Sequence, residues 1–111
     1  MSKLIEKKCK SYSSGEKPLS IDDVNSLLKQ INQWETDDQG TTLYQNFRFK
    51  NYYETIAFVN ALAWIAHQED HHPDLEVSYN RCLVNFNTHS ISNLSENDFI
   101  CAAKIDHIMP H

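Results

Sequence analysis

Hydrophobic residues change their spacing several times along the chain, and each spacing predicts a different element. After Ser20 they recur every three or four residues, which predicts an amphipathic helix capped by Ser20 together with Asp23. Alternation of hydrophobic and polar residues then predicts two strands, at about 34–38 and 42–50, joined by a turn at Gln39–Gly40. The first half of the chain is therefore predicted to be a helix followed by a β-hairpin.

The second half repeats this order with a longer helix, predicted over 52–69. That helix has to end near Asp70, because Pro73 disfavours helical geometry at the residue before it. Two further strands are predicted at about 75–79 and 82–88, again as a hairpin. The side of the long helix that is predicted to be buried consists of Ile56, Val59, Leu62, Ala63 and Ala66.

Ser95 begins a last helix, with Asp98 at the third position as the acid of a structural cap. The order α-β-β-α-β-β-α predicts an α+β two-layer sandwich, a four-stranded antiparallel sheet with three helices on one face. An open sheet edge favours association with a second copy. Residues 1–18 are polar and rich in lysine, which predicts a flexible N-terminal arm before a single domain at 19–111.

Composition narrows the possible partners. The chain has 111 residues and a formal net charge of -5, which argues against a nucleic-acid surface. No hydrophobic run reaches the length needed to span a membrane, and no signal peptide is evident. Three widely spaced cysteines are typical of reduced thiols rather than of a disulfide framework. These features predict a cytoplasmic protein that binds neither nucleic acid nor membrane.

The candidate chemistry lies at three histidines. His71 and His72 follow the long helix and are held by Pro73, and His89 follows the last predicted strand. The start of the third strand and the end of the fourth are neighbours in a hairpin, so His89 is predicted to lie beside the histidine pair. Three groups that titrate near neutral pH in one place are typical of a general acid/base site.

The residues at this site form a longer motif. His71-His72-Pro73 is followed by Tyr79, His89 and Asp98, a spacing that resembles the signature of the pterin-4a-carbinolamine dehydratases. The similarity extends over about 20–108. It implies dehydration of a 4a-hydroxy-tetrahydropterin, released by an aromatic amino acid hydroxylase, to quinonoid dihydropterin. It also implies that no metal or organic cofactor is needed, and that the protein is a homodimer or homotetramer.

The resemblance implies roles for individual residues. His71, His72 and His89 form the acid/base set, and the residues around them that contact the pterin are Asp70, Thr88 and Ser90. One position departs from the family, which usually has an acid four residues before the first histidine of the pair. This chain has His67 there, and we expect it to modulate the activity.

Two other functions stay open at this point. His67 and His71 are four residues apart, so they would share a helix face and could bind a metal ion together with His89. A non-catalytic dimeric binding module is the other alternative, since some relatives of this fold act as dimerisation partners of a transcription factor. Asp98 is interpreted as a helix cap rather than as a site residue.

Overall fold

The computed structural model describes residues 3–109. Within this range the chain forms three α-helices and four β-strands in the predicted order, with short 3-10 turns at Leu4–Glu6 and His89–Ile91. The elements are α1 (Ile21–Leu28), β1 (Glu35–Thr36), β2 (Leu43–Arg48), α2 (Tyr52–Glu69), β3 (Asp74–Ser78), β4 (Arg81–Phe86) and α3 (Glu96–Ile108). The predicted α+β class is confirmed. The first two residues of the predicted arm and the last two of the predicted domain lie outside the described residues.

The four strands form one antiparallel sheet in the order β1-β2-β4-β3. Every second residue of β4 is buried, and the register places Phe86 and Cys82 opposite the two buried residues of β2, Leu43 and Phe47. This face packs on the helices. The opposite face carries partly exposed and exposed side chains such as Asn46 and Leu83. One hydrophobic core therefore lies between the sheet and the helices.

The predicted first strand is much longer than the observed β1, which has two residues. Trp34 precedes it, and its side chain is buried with the indole Nε1–H donating to Asp106 at 2.9 Å. After the strand, the Asp37 carboxylate accepts the backbone N–H groups of Thr41 and Thr42. The Asp37 N–H also donates to the backbone carbonyl oxygen of Thr42 at 3.1 Å, and the side-chain contacts of Asp37 close the turn directly after this bond.

The bounds predicted for the long helix agree with α2, but its predicted buried side was wrong in part. Ala63 is exposed, and Ile56, Val59 and Ala66 are only partly buried. The residues of α2 that are buried are Thr55, Phe58, Leu62 and Glu69. Hydrophobic residues occur on nearly all sides of this helix, so their spacing does not distinguish the face that meets the sheet.

Serine side chains begin two of the helices. Ser20 Oγ accepts from the backbone N–H of Asp23 at the start of α1. Ser95 and Asp98 form a full capping box at the start of α3, which confirms their predicted structural role. Both contacts satisfy backbone N–H groups that have no partner inside their own helix.

The N-terminal segment differs from a loose arm. Leu4 is buried, and Lys10 exchanges two backbone hydrogen bonds with the side chain of Asn97, at 3.0 and 2.6 Å. The Cys9 N–H donates to the buried carboxylate of Glu69 at 2.8 Å, and the Lys104 ammonium lies 3.4 Å from the same carboxylate. Residues 4–10 are thus attached to α2 and α3.

Glu69 is a buried carboxylate at the last residue of α2. Burial by itself would raise its pKa, but the hydrogen bond from Cys9 and the charge of Lys104 outweigh that effect and lower the pKa overall. The carboxylate therefore serves to hold the N-terminal segment.

Candidate active site

The loop after α2 begins with an unusual backbone conformation. Asp70 has φ 51° and ψ 43°, in the left-handed region that non-glycine residues seldom occupy. Its backbone N–H and that of His71 donate to carbonyl groups in the last turn of α2, which ends the helix. Pro73 then leads into β3. This turn sends His71 towards the protein interior and leaves His72 exposed.

His71 contacts a buried carboxylate. Its Nε2 lies 2.6 Å from Oδ1 of Asp98, and the exposed fractions of the two side chains are 10% and 0%. The imidazole ring is also stacked on Phe86, with an interplanar angle of 5° and centroids 5.8 Å apart. Asp98 Oδ1 accepts a hydrogen bond from Nε2–H, which selects the tautomer and leaves Nδ1 as the other ring nitrogen.

Asp98 also holds the elements around His71. Its Oδ2 accepts from the Thr88 hydroxyl and from the backbone N–H of Ser95, both at 3.0 Å. The Thr88 and Ser95 hydroxyls are themselves 2.6 Å apart. Asp98 is therefore both the helix cap that was predicted and a partner of His71. This second role was not predicted from the sequence, because a helix cap is enough to explain an acid at this position.

His72 and His89 form a second, exposed pair. Their ring centroids are 5.4 Å apart, although they come from different loops. His89 Nε2 lies 3.9 Å from a carboxylate oxygen of Asp74, and the exposed fractions of these two side chains are 56% and 77%. The predicted proximity of His89 to the histidine pair is thus found in the structure, at His72.

A cavity of about 380 Å³ opens beside the loop. Its lining includes Asp70, His71, His72 and Pro73, with hydrophobic side chains of α2 and Leu75 on the other sides. His67 also lines it and contacts the exposed indole of Trp64, with ring centroids 5.5 Å apart. This volume is within the range of small-molecule sites in proteins.

The remaining predicted contact residues lie in different surroundings. Thr88 is 5% exposed and its hydroxyl belongs to the Asp98 network, whereas Ser90 is exposed in the 3-10 turn. Thr88, Ser90 and His89 do not line the cavity. Their contact with a pterin stays a prediction.

The three histidines of the alternative metal site do not form a ligand set. Among residues 3–109, no three His, Cys, Asp or Glu side chains are grouped so that they could hold a metal ion. His71 Nε2 is occupied by Asp98, and the His67 ring lies against the indole of Trp64 in a tilted arrangement. Likewise, no helix in the described part of the chain is long and hydrophobic enough to cross a membrane.

Two comparisons with known proteins agree on one protein family. Residues 17–108 match the family model described as pterin 4 alpha carbinolamine dehydratase. A protein of Nitrosomonas eutropha, which carries a provisional name as a pterin-4-alpha-carbinolamine dehydratase, is 52% identical over 107 residues. That alignment covers 96% of this chain and 93% of the relative. The chain belongs to the pterin-4a-carbinolamine dehydratase family.

Two solved structures have the same fold. A transcriptional coactivator/pterin dehydratase from Brucella melitensis is similar with a TM-score of 0.79 and 29% identity, covering 83% of this chain and 98% of that one. A pterin dehydratase-like protein described as a RuBisCO assembly factor in the alpha-carboxysome has a TM-score of 0.60 and 23% identity, over 68% of this chain and 88% of its own. The second likeness concerns the fold alone.

Proposed function

We propose that this protein dehydrates 4a-hydroxy-tetrahydropterin to quinonoid dihydropterin and water. The C4a–O bond breaks as an acid donates a proton to the leaving hydroxyl group. A base removes the proton from ring nitrogen 5, and a double bond forms between N5 and C4a. The reaction thus needs one proton donor and one proton acceptor, and each contributes about 10²–10⁴-fold to the rate.

His71 is proposed to act at the substrate through Nδ1. Its Nε2 is held by Asp98 at 2.6 Å and its ring is fixed against Phe86, so the imidazole has one orientation and one defined tautomer. Thr88 is proposed to support this arrangement, since its hydroxyl donates to Asp98 at 3.0 Å. A fixed ring beside the cavity favours proton transfer at one position of a bound pterin.

His72 and His89 are proposed to complete the acid/base set. The two rings are in contact and exposed, so they can exchange protons with solvent between turnovers. His72 also lines the cavity, which would give a bound pterin access to the pair. Asp70 and Ser90 are proposed substrate contacts, and His67 is proposed to adjust the electrostatics at the cavity mouth.

The observation that carries this proposal is that His71 and His72 line one cavity and that His89, from another loop, contacts His72, in a chain of this family. The direct test is whether the protein accelerates the decay of 4a-hydroxy-tetrahydropterin, followed by ultraviolet absorbance. His72→Ala should slow the reaction strongly. His107→Ala removes an exposed histidine of α3 and serves as the matched control. A folded wild-type protein without acceleration would favour the non-catalytic binding module instead.

Self-association and a cellular role are part of the same proposal. The strand β3 lies at the sheet edge and most of its residues are exposed, so a second copy could pair with it. We propose a homodimer or homotetramer in the cytoplasm that serves an aromatic amino acid hydroxylase. Sedimentation of the wild-type chain should give a mass of two or four copies. A monomer at micromolar concentration would contradict this part alone.

A further inference from the structure

Two cysteines that are far apart in the sequence are neighbours in the structure. Cys9 lies in the irregular segment after the first 3-10 turn, and Cys101 lies within α3. Their sulfur atoms are 3.7 Å apart, compared with about 2.05 Å in a disulfide bond. We propose that Cys9 and Cys101 form a reversible disulfide bond, a modification site that fastens the N-terminal segment to α3 under oxidising conditions.

The neighbouring contacts hold the two thiols together. The Cys9 N–H donates to the Glu69 carboxylate. The backbone of the next residue, Lys10, exchanges two hydrogen bonds with the side chain of Asn97. Asn97 is one helical turn before Cys101, so these bonds position Cys9 over the same part of α3. Cys9 is outside helices and strands, and its short segment can therefore make the remaining approach without disturbing an element.

The two sulfur atoms have different surroundings. Cys9 is partly exposed, whereas Cys101 is fully buried. The hydrogen bond with Cys9 and the burial of its side chain raise the pKa of Cys101. An oxidant therefore reaches Cys9 first, and Cys101 reacts only after Cys9 has been modified. The third cysteine, Cys82, is buried in β4 and takes no part.

The oxidant is a low-molecular-weight disulfide such as glutathione disulfide. The Cys9 thiolate attacks one of its sulfur atoms, which forms a mixed disulfide and releases one glutathione thiolate. The Cys101 sulfur then attacks the Cys9 sulfur, and the mixed disulfide breaks to release the second. The two cysteines lose two electrons and two protons, and the glutathione disulfide becomes two glutathione thiols.

Oxidation also changes a contact of the histidine loop. The Cys101 thiol lies 3.9 Å from the backbone carbonyl oxygen of His71, as a weak donor. A disulfide removes this S–H group. The link therefore joins the N-terminal segment to the helix that carries Asp98, next to the loop that carries His71.

The test uses the full chain and glutathione disulfide. After oxidation and alkylation, mass spectrometry should find a loss of two hydrogen atoms, a peptide pair linked through Cys9 and Cys101, and alkylated Cys82. The link should form at least about tenfold faster in the folded protein than in concentrated urea. Tm should rise by about 5 °C or more, and dithiothreitol should reverse both changes.

Cys9→Ser is the matched control, because a serine hydroxyl can replace the thiol as a donor to the Asn97 carbonyl oxygen. This variant should form no internal link, and oxidation should leave its Tm unchanged. The proposal would be overturned if wild type retained glutathione on Cys9, or if it formed links only between molecules or to Cys82. Equal rates of linking in the folded and urea-unfolded chain would also overturn it.

Discussion

Two histidine–carboxylate contacts, His71–Asp98 and His89–Asp74, lie in the same region of the molecule but differ in distance and in burial. His71 is buried against the Asp98 carboxylate at 2.6 Å, and the same carboxylate binds Thr88 and Ser95. His89 is exposed, and the carboxylate of Asp74, which is also exposed, lies 3.9 Å from it. Both are histidine–carboxylate pairs, but only the first is part of the packed structure.

The difference shows that two contacts in one region can have different physical properties. Water competes for the hydrogen bonds of an exposed pair and weakens the pair. A buried pair keeps its geometry because little water reaches either group. The buried contact therefore fixes the ring of His71, whereas the exposed contact leaves the rings of His72 and His89 open to water. A reaction that needs both a donor and an acceptor benefits from this contrast.

The largest expected effect is a difference in stability between variants of the two carboxylates, Asp98 and Asp74. Asp98→Ala should lower the free energy of unfolding by about 3–5 kcal/mol, because it leaves His71, Thr88 and the Ser95 N–H without their partner. Asp74→Ala should change it by less than about 0.5 kcal/mol. Urea unfolding measures both. Similar losses in the two variants would mean that the buried contact adds no stability of its own.

The next effect concerns the reaction. His71→Ala and His89→Ala should each lower kcat by about 10² or more, if the rings act as acid and base. Only His71→Ala should also lower Tm, since His89 is exposed. Steady-state rates and thermal unfolding check the two statements, with His107→Ala as the control. Near wild-type rates in both variants would refute the acid/base assignment.

A smaller effect is expected for pH dependence at the cavity mouth. Activity should fall towards acid pH as the base histidine becomes protonated. His67→Glu adds a negative charge beside the cavity, which favours protonated imidazoles and should displace the profile to higher pH by about half a unit. The measurement is kcat/KM against pH. If His67→Glu and His67→Ala both match wild type, His67 has no influence on the site.

The smallest effect concerns Glu69, and it tests whether burial of a carboxylate is enough by itself to give a large contribution to stability. The pKa of Glu69 is lowered in the folded protein, so its charge stabilises the fold above the unfolded pKa, and this contribution is lost as pH falls through the folded pKa. Glu69→Gln should cost about 1 kcal/mol at pH 7 and progressively less below about pH 4. Urea unfolding of both proteins over this range measures it. The rate of 4a-hydroxy-tetrahydropterin decay should stay near wild type, because Glu69 does not line the cavity.

Much of the fold follows from local patterns. Alternation in β4, the serine caps of α1 and α3, and the stop before Pro73 each depend on residues within one turn or one strand. These patterns predicted the bounds of α2 and the element order. They did not predict the buried face of α2, because hydrophobic residues occur on nearly all sides of this helix. Packing against the rest of the protein decides that Phe58 is buried.

The candidate site shows the same division. The family motif and the hairpin placed His71, His72 and His89 in one region, and the structure brings His72 and His89 into contact. The partnership of His71 with Asp98 spans 27 residues. No local pattern reports it, since the capping role already accounts for the acid.

Short-range spacing thus determines which elements form and where they end, because backbone hydrogen bonding and side-chain periodicity act over a few residues. Which imidazole is buried, which carboxylate meets it and which thiols become neighbours depend on side-chain directions in elements far apart in the chain. Only the packed structure decides these, because each requires two surfaces to meet. The contrast between the buried His71 and the exposed His89 belongs to this second group.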